Sequence, residues 1–319
     1  MIGFIGVKFA NTREAFGQTL LELGAEDPDI IALTADLRSS TFTKAFGEKF
    51  PDRFFDTGVA EANMMGIAAG LAMSGKKPFA ATFAIFAEKA FEQIRQAIAY
   101  QAAPVKIIAT HGGLATGPDG ASHQTVEDIS TMRGLPNVTV IVPADAIETK
   151  QVTRAIVNYN KPVYVRLARE PLPVVLDDSY RFELGKAKIL RQGEDVTLLA
   201  CGVMVFMALR AAELLSREGI GAQVINVSTI KPIDAETIIS CVKKTSCCVT
   251  AEDHSIIGGL GSSVAEVLVE RFPVPMERVG IKDRFGQSGN AWELLEHYQL
   301  TPEAIAAAAR RAIERKKAR

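Results

Sequence analysis

The sequence predicts an α/β protein made of two successive parallel-sheet units. Short apolar runs recur without polar alternation, which marks strands covered on both faces. Helix-period stretches lie between them, the order expected of βαβ units. The pattern then breaks at an irregular, proline-bearing segment and starts again. At 319 residues with 48% apolar side chains, the chain is long enough for one large or two medium cores.

The first series of expected strands is "DIIALTA", "RFFDT", "PFAATF", "VKIIAT", "VTVIVP" and "VYVRLA". Helical periods in "REAFGQTLLELGAED" and "FAEKAFEQIRQAIAY" separate them. The segment "EPLPVVLDDSYRFELGKA" has two prolines and no period, and reads as a linker. A second series follows in "DVTLLACG", "AQVINVST", "CCVTAED" and "RVGIKD". The last helix opens at "TPEAIAAAA", with Thr301 as N-cap and Pro302 at the first helical position. The expected domains are residues 1–175 and 189–319, with 176–188 as the linker.

Charge and cysteine content exclude several classes. The net charge is −1 and the pI about 6.5, which gives no drive toward nucleic acid or anionic membrane. The basic tail "ARRAIERKKAR" reads as a solvated final helical turn. Cys201, Cys241, Cys247 and Cys248 form no C-x-x-C pair and read as buried free thiols of a reducing compartment. The longest apolar stretch, "MMGIAAGLAMSG", is short and glycine-rich. A soluble, cytoplasmic protein is expected.

Ligands of open parallel sheets bind beyond the carboxyl ends of the strands. Asp36, Glu61, Phe83, His111 and Arg169 each follow one of the first strands. Glu61 opens a stretch almost free of other charge. A helix dipole alone would explain it; so would a task that requires a carboxyl to hold or share a proton. Phe83, Phe86, Ala90 and Ile94 form a helical stripe, for which core packing is the default. The two phenylalanines fall at a strand end and a helix start, where they can wall a flat ring.

The stretch "GPDGASHQ", Gly117–Gln124, admits two readings. Its glycines, proline, aspartate and serine suit a plain turn. Asp119 and His123 also set an acid and an imidazole around a possible substrate. A metal bound by His111, His123 and Asp119 lacks any helix-spaced histidine pair or cysteine partner. The glycines of "HSIIGGLGSS" lack the lysine of a phosphate loop and read as close helix–strand packing. His297 reads as structural.

These pieces together carry a resemblance. "DTGVAEANMMGIAAGLAMSG", "TFAIFAEKAFEQIRQ", "THGGLATGPDGASHQTVED", "LPNVTVIVPADAIE" and "VYVRLARE" occur in the order found in transketolases. The chain resembles the carboxyl-terminal half of such an enzyme, over nearly its whole length. The resemblance implies a pyrimidine-binding, thiamine-diphosphate-binding domain followed by a smaller transketolase-type domain. The family holds the cofactor's diphosphate and metal with a "GDG" motif, which is absent from this sequence. A separate amino-terminal subunit carrying that motif is therefore implied, with Mg2+ or Ca2+ held by that partner and none by this chain. An α2β2 assembly is the corresponding expectation.

The resemblance also implies roles. Glu61 would bond the aminopyrimidine nitrogen of thiamine diphosphate and favour its imino form. Phe83 and Phe86 would line that ring, and Asp36 would lie near the thiazolium side. His123 would assist proton transfer, and Asp119 would read the hydroxyl next to the substrate carbonyl. His111, Arg169, Arg13 and Ser40 would bind a sugar phosphate. The reaction implied is transfer of a two-carbon ketol unit from a ketose phosphate to an aldose phosphate, as in pentose phosphate metabolism. One departure stands out: the family often has an aromatic one turn after Phe86, and this chain has Lys89.

Two alternatives remain at this level. A β subunit of a thiamine-dependent 2-oxo-acid dehydrogenase has similar length and the same glutamate, but no need for Asp119. A non-catalytic assembly subunit of the same fold would not need Glu61, Phe86, Asp119 and His123 together. Without partner or ligand, the 111–124 loop is expected to be loose.

Overall fold

A computed structural model describes residues 6–318. In chain order its strands are β1 (Phe9–Ala10), β2 (Ile30–Thr34), β3 (Phe54–Asp56), β4 (Lys77–Phe83), β5 (Lys106–Thr110), β6 (Thr139–Ile141) and β7 (Val163–Arg166). They continue as β8 (Leu172–Pro173), β9 (Lys188–Arg191), β10 (Val196–Ala200), β11 (Ala222–Asn226), β12 (Thr229–Lys231), β13 (Cys248–Ser255) and β14 (Met276–Ile281). The α/β architecture expected from the apolar runs is present. One sheet has the order β12-β6-β7-β5-β4-β2-β3, and the other β14-β13-β10-β11-β9.

The pairings among β2 to β7 in the first sheet are parallel. Helices cover both faces, so β2, β5 and β6 are buried along their whole lengths. Two features depart from a purely parallel reading. β12, from the second half of the chain, adds to the first sheet antiparallel to β6. β9 likewise pairs antiparallel with β11 at the edge of the second sheet. Both are short edge strands, where pairing direction is least constrained by burial. β1 and β8 form a separate antiparallel pair.

Helix Thr12–Glu26 opens on Asn11, whose side chain accepts from the backbone of Arg13 and Glu14. The expected long helix after β4 is instead broken. It runs Ala84–Lys89, then Phe91–Gln93, then a π segment Ile94–Ala99. Ala90, Ile94 and Ile98 are all buried and spaced by four. An α-helix drifts by about 40° over each such step, and the wider π turn keeps them on one face.

Segment 176–188 lacks helix before β9 but is not free. The backbone of Val175 and Leu176 donates to Asp145, and Phe182 donates to Gln151. The basic tail is likewise more than a solvated turn. Helix Pro302–Lys317 pairs Arg310 with Glu218, and Arg311 and Arg315 with Glu277. The four cysteines are buried and free. Among the described residues, no helix is long and apolar enough to cross a membrane.

Candidate active site

The carboxyl edge of the first sheet gathers the polar residues. Asp36 follows β2 and His111 follows β5, both with φ of 61°. This left-handed conformation is uncommon for such residues and turns the chain sharply out of the strand. Asp36 is exposed, and its backbone N–H donates to Asp56 Oδ1 at 2.8 Å. Glu61 opens helix Glu61–Met73 with no side-chain cap before it. Its carboxyl is buried and placed at the positive end of the helix dipole.

An aromatic cluster stands at the end of β4 and the start of helix Ala84–Lys89. Phe83 and Phe86 stack with centroids 5.3 Å apart and planes 6° apart. The His111 ring lies on Phe83 at 3.6 Å, and His123 meets Phe86 edge-on at 5.5 Å. Thr110 Oγ1 and His111 Nδ1 are 2.8 Å apart. Burial, reinforced by Arg13, Arg169 and His123, pushes His111 down to about 3. His111 is therefore neutral at physiological pH and can offer hydrogen bonds but no charge. His123 is half-buried, with Nδ1 3.0 Å from Ser122 Oγ.

Cationic groups meet the same cluster. Arg13 donates to the carbonyl oxygens of Ser40 at 2.9 Å and Arg169 at 2.6 Å. Arg169 lies 3.4 Å from Asp119 and 3.0 Å from Glu170. Burial and the neighbouring Arg169 both lower Arg13. Two guanidiniums held this close favour a shared anion. The structure thus brings together Arg13, Ser40, Phe83, Phe86, His111, Asp119, His123 and Arg169. Glu61 joins them through Lys89, whose ammonium is 2.9 Å from Glu61 Oε2. Asp36 is not among the residues tied together by these contacts; its backbone N–H bonds Asp56 Oδ1.

The 111–124 loop is clasped rather than loose. Asp253, from the second half, accepts from the backbone of Leu114 at 3.0 Å and Ala115 at 3.3 Å. Gln124 donates to the carbonyls of Gly117 and Gln287, each at 3.0 Å. Ser288 donates to Pro118 O at 2.6 Å. Gly113 must be glycine here: its φ is +83°, and a Cβ would lie 2.2 Å from Asp253 Oδ2. Asp253, Gln124 and Ser288 escaped the sequence reading. Asp253 sits in "TAED", which reads only as a strand, and its loop partners lie 138 and 139 residues away.

The second glycine-rich segment has a different use. Glu252 accepts from the backbone of Leu260 at 2.7 Å and Gly261 at 2.8 Å, at the start of helix Leu260–Arg271. A Cβ on Gly259 would lie 2.0 Å from Glu252 Oε2. The close-packing reading of these glycines therefore holds.

Glu61 and half-buried Phe86, backed by Phe83, fit the aminopyrimidine end of thiamine diphosphate: a buried carboxyl for a ring nitrogen and a flat face for the ring. Among the described residues, no group of three His, Cys, Asp or Glu side chains is placed to hold a metal ion.

Residues 8–174 match the family described as transketolase, pyrimidine binding domain, and residues 185–305 match transketolase, C-terminal domain. A putative transketolase C-terminal section of Methanocaldococcus jannaschii is 48% identical, over 96% of this chain and 97% of that protein. A 6-deoxy-6-sulfo-D-fructose transketolase subunit of a Clostridium strain is 44% identical, over 95% of each. A split-gene transketolase, solved as an inactive β4 tetramer, superposes with a TM-score of 0.90 at 49% identity, covering 96% of this chain and 99% of that one. The chain belongs to the transketolase family, whose members use thiamine diphosphate, and it corresponds to the carboxyl-terminal subunit of the split enzymes.

Proposed function

We propose that this chain is the pyrimidine-binding subunit of a two-chain transketolase that moves a two-carbon ketol unit between sugar phosphates. The observation that carries this reading is the junction of two clusters at one sheet edge. Arg13, Arg169 and Asp119 form an anion- and hydroxyl-reading group that meets the ring wall through His111, and the helix of Phe86 reaches Glu61 through Lys89. A 2-oxo-acid dehydrogenase subunit has no use for the first group.

Thiamine diphosphate, when bound, supplies the nucleophilic carbon that cleaves and forms the sugar C–C bond. Glu61 bonds the ring nitrogen of its aminopyrimidine. Phe83 and Phe86 hold that ring flat and exclude water. His123, edge-on to Phe86, moves a proton at the substrate hydroxyls. Asp119 orients the sugar, while Arg13, Arg169, neutral His111 and the Ser40 segment take its terminal anion. Asp36 borders the partner's side of the cofactor. The name of the sulfosugar relative supports an anionic far end as the shared demand, with the particular sugar varying.

A partner chain, carrying a "GDG" motif for the diphosphate and its Mg2+ or Ca2+, completes the α2β2 enzyme. Helix Glu61–Met73 supports that requirement. Gly66, Ile67, Gly70 and Met73 face outward, leaving an apolar helix face uncovered. A Cβ added to Gly66 or Gly70 would meet nothing within 4 Å. The test is to mix the chain with its partner, thiamine diphosphate and Mg2+, and follow transfer from xylulose 5-phosphate to ribose 5-phosphate. Ketol transfer by the mixture, and none by either chain alone, is expected. Decarboxylation of a 2-oxo acid without ketol transfer overturns the reading.

A further inference from the structure

Phe83, Phe86 and Lys89 are spaced by three, so the lysine continues the line of the ring wall. It ends helix Ala84–Lys89. Its ammonium lies 2.9 Å from Glu61 Oε2, yet the two side chains live in different media: Lys89 is 61% exposed and Glu61 2%. A buried carboxylate without a counter-charge is costly. Lys89 supplies that charge from a flexible, solvated stem with three rotatable donors. Its departure therefore costs little once another partner takes the carboxyl. The neighbouring Glu88 is engaged elsewhere, accepting from Thr125 Oγ1 at 2.6 Å.

We propose that Lys89 is a displaceable latch on Glu61 that sets cofactor affinity. Its ammonium bonds the carboxyl in the cofactor-free chain, and an incoming aminopyrimidine must displace it. The latch rests on the function proposed above, which is what brings a pyrimidine to Glu61. It makes the free subunit tolerate a buried acid that the assembled enzyme needs.

The experiment measures thiamine diphosphate binding by calorimetry on the assembled two-chain enzyme, as wild type, Lys89→Met and Lys89→Arg. Removing a charge-assisted competitor should tighten binding about 10-fold in Lys89→Met. Lys89→Arg keeps a cation and should stay within about 3-fold of wild type. Thermal melting gives a second readout. Lys89→Met should melt lower than wild type without cofactor, and gain more on its addition. A purely structural lysine would lower the first value without raising the second. Should Lys89→Met fail to assemble, Lys89→Gln offers a neutral polar head on a stem one bond shorter and carries the same expectation. Unchanged or weaker binding by the neutral variants overturns the latch alone. An assembled wild type that binds no thiamine diphosphate overturns the function reading and the latch together.

Discussion

Two glycine-rich segments, Gly117–Gln124 and His254–Ser263, look alike in sequence and do opposite things. Each lies at the carboxyl end of a buried strand of a parallel sheet and mixes glycines with a histidine. In the second, the polar groups are used up internally. Glu252 fills the helix N-terminus, and His254 is fully buried, with Nδ1 on Ser255 O at 2.7 Å and Nε2 accepting from Ser130 N at 3.3 Å. In the first, the backbone is tied down while Asp119 and His123 stay half-open beside Arg169 and Phe86. Glycine and polarity together do not make a site. Polar side chains whose bonds are left over after folding do.

Glu61 and Glu252 turn that contrast into the largest expected effects. Both are buried acids set against a helix start, Glu61 as its first residue and Glu252 reaching it from strand β13. Glu61→Gln should cut ketol transfer by the assembled enzyme about 100-fold or more, while the chain melts and assembles normally. Glu252→Gln should do the reverse. A carboxamide replaces an acceptor of two backbone N–H groups, costing on the order of 2–4 kcal/mol. Activity per folded molecule should persist. Gly259→Ala, forced against the same carboxylate, should resemble Glu252→Gln in melting. An active Glu61→Gln enzyme, or an inactive but stable Glu252→Gln one, breaks the comparison.

Much of this was legible beforehand because strands and strand ends are local features. Apolar runs from "DIIALTA" to "VYVRLA" located the first sheet, and the carboxyl-edge rule pointed to His111 and Arg169. What escaped was long-range. Nothing in "STIK" says that β12 leaves its own half to join β6, since an edge strand needs only a free ladder. Asp253 clasps Leu114 across 139 residues, a distance over which no periodicity carries. Lys89 was visible as a departure from the family, but its bond to Glu61 depends on how two helices meet.

Glu88 sharpens the contrast through pH. It lies on the helix of Phe86, with Asp128, Glu127, Thr125 and Thr131 around it. Burial first, then Asp128, raises it from the usual 4.5 to about 7. The folded chain keeps a proton that the unfolded chain releases. Its stabilising contribution is full below about pH 4.5 and is lost as pH rises toward 7. The slope is on the order of 1.4 kcal/mol per unit of pH for one proton. Glu88→Gln has no proton to lose, so chemical denaturation between pH 5 and 7 should show a flatter profile and higher stability at pH 8. A profile identical to wild type would remove Glu88 from this account.

The smallest expected effect probes the clasp itself. Ser288 Oγ donates to Pro118 O at 2.6 Å, one residue before Asp119. In the other glycine segment, the Gly258 N–H donates to Ser262 Oγ at 2.8 Å. The two bonds are similar in chemistry and differ in what they hold: one a loop bearing an open acid, the other a closed helix start. Each serine→alanine change removes a hydrogen bond worth about 1 kcal/mol. In Ser288→Ala that loss loosens Asp119, so KM for the sugar phosphate should rise a few-fold while thiamine diphosphate affinity holds. In Ser262→Ala the same loss should appear only as a lower melting temperature. If both variants change only melting, the second half of the chain supports the loop without tuning it. If Ser288→Ala alone moves KM, a bond made across 170 residues belongs to substrate recognition although its donor touches no substrate.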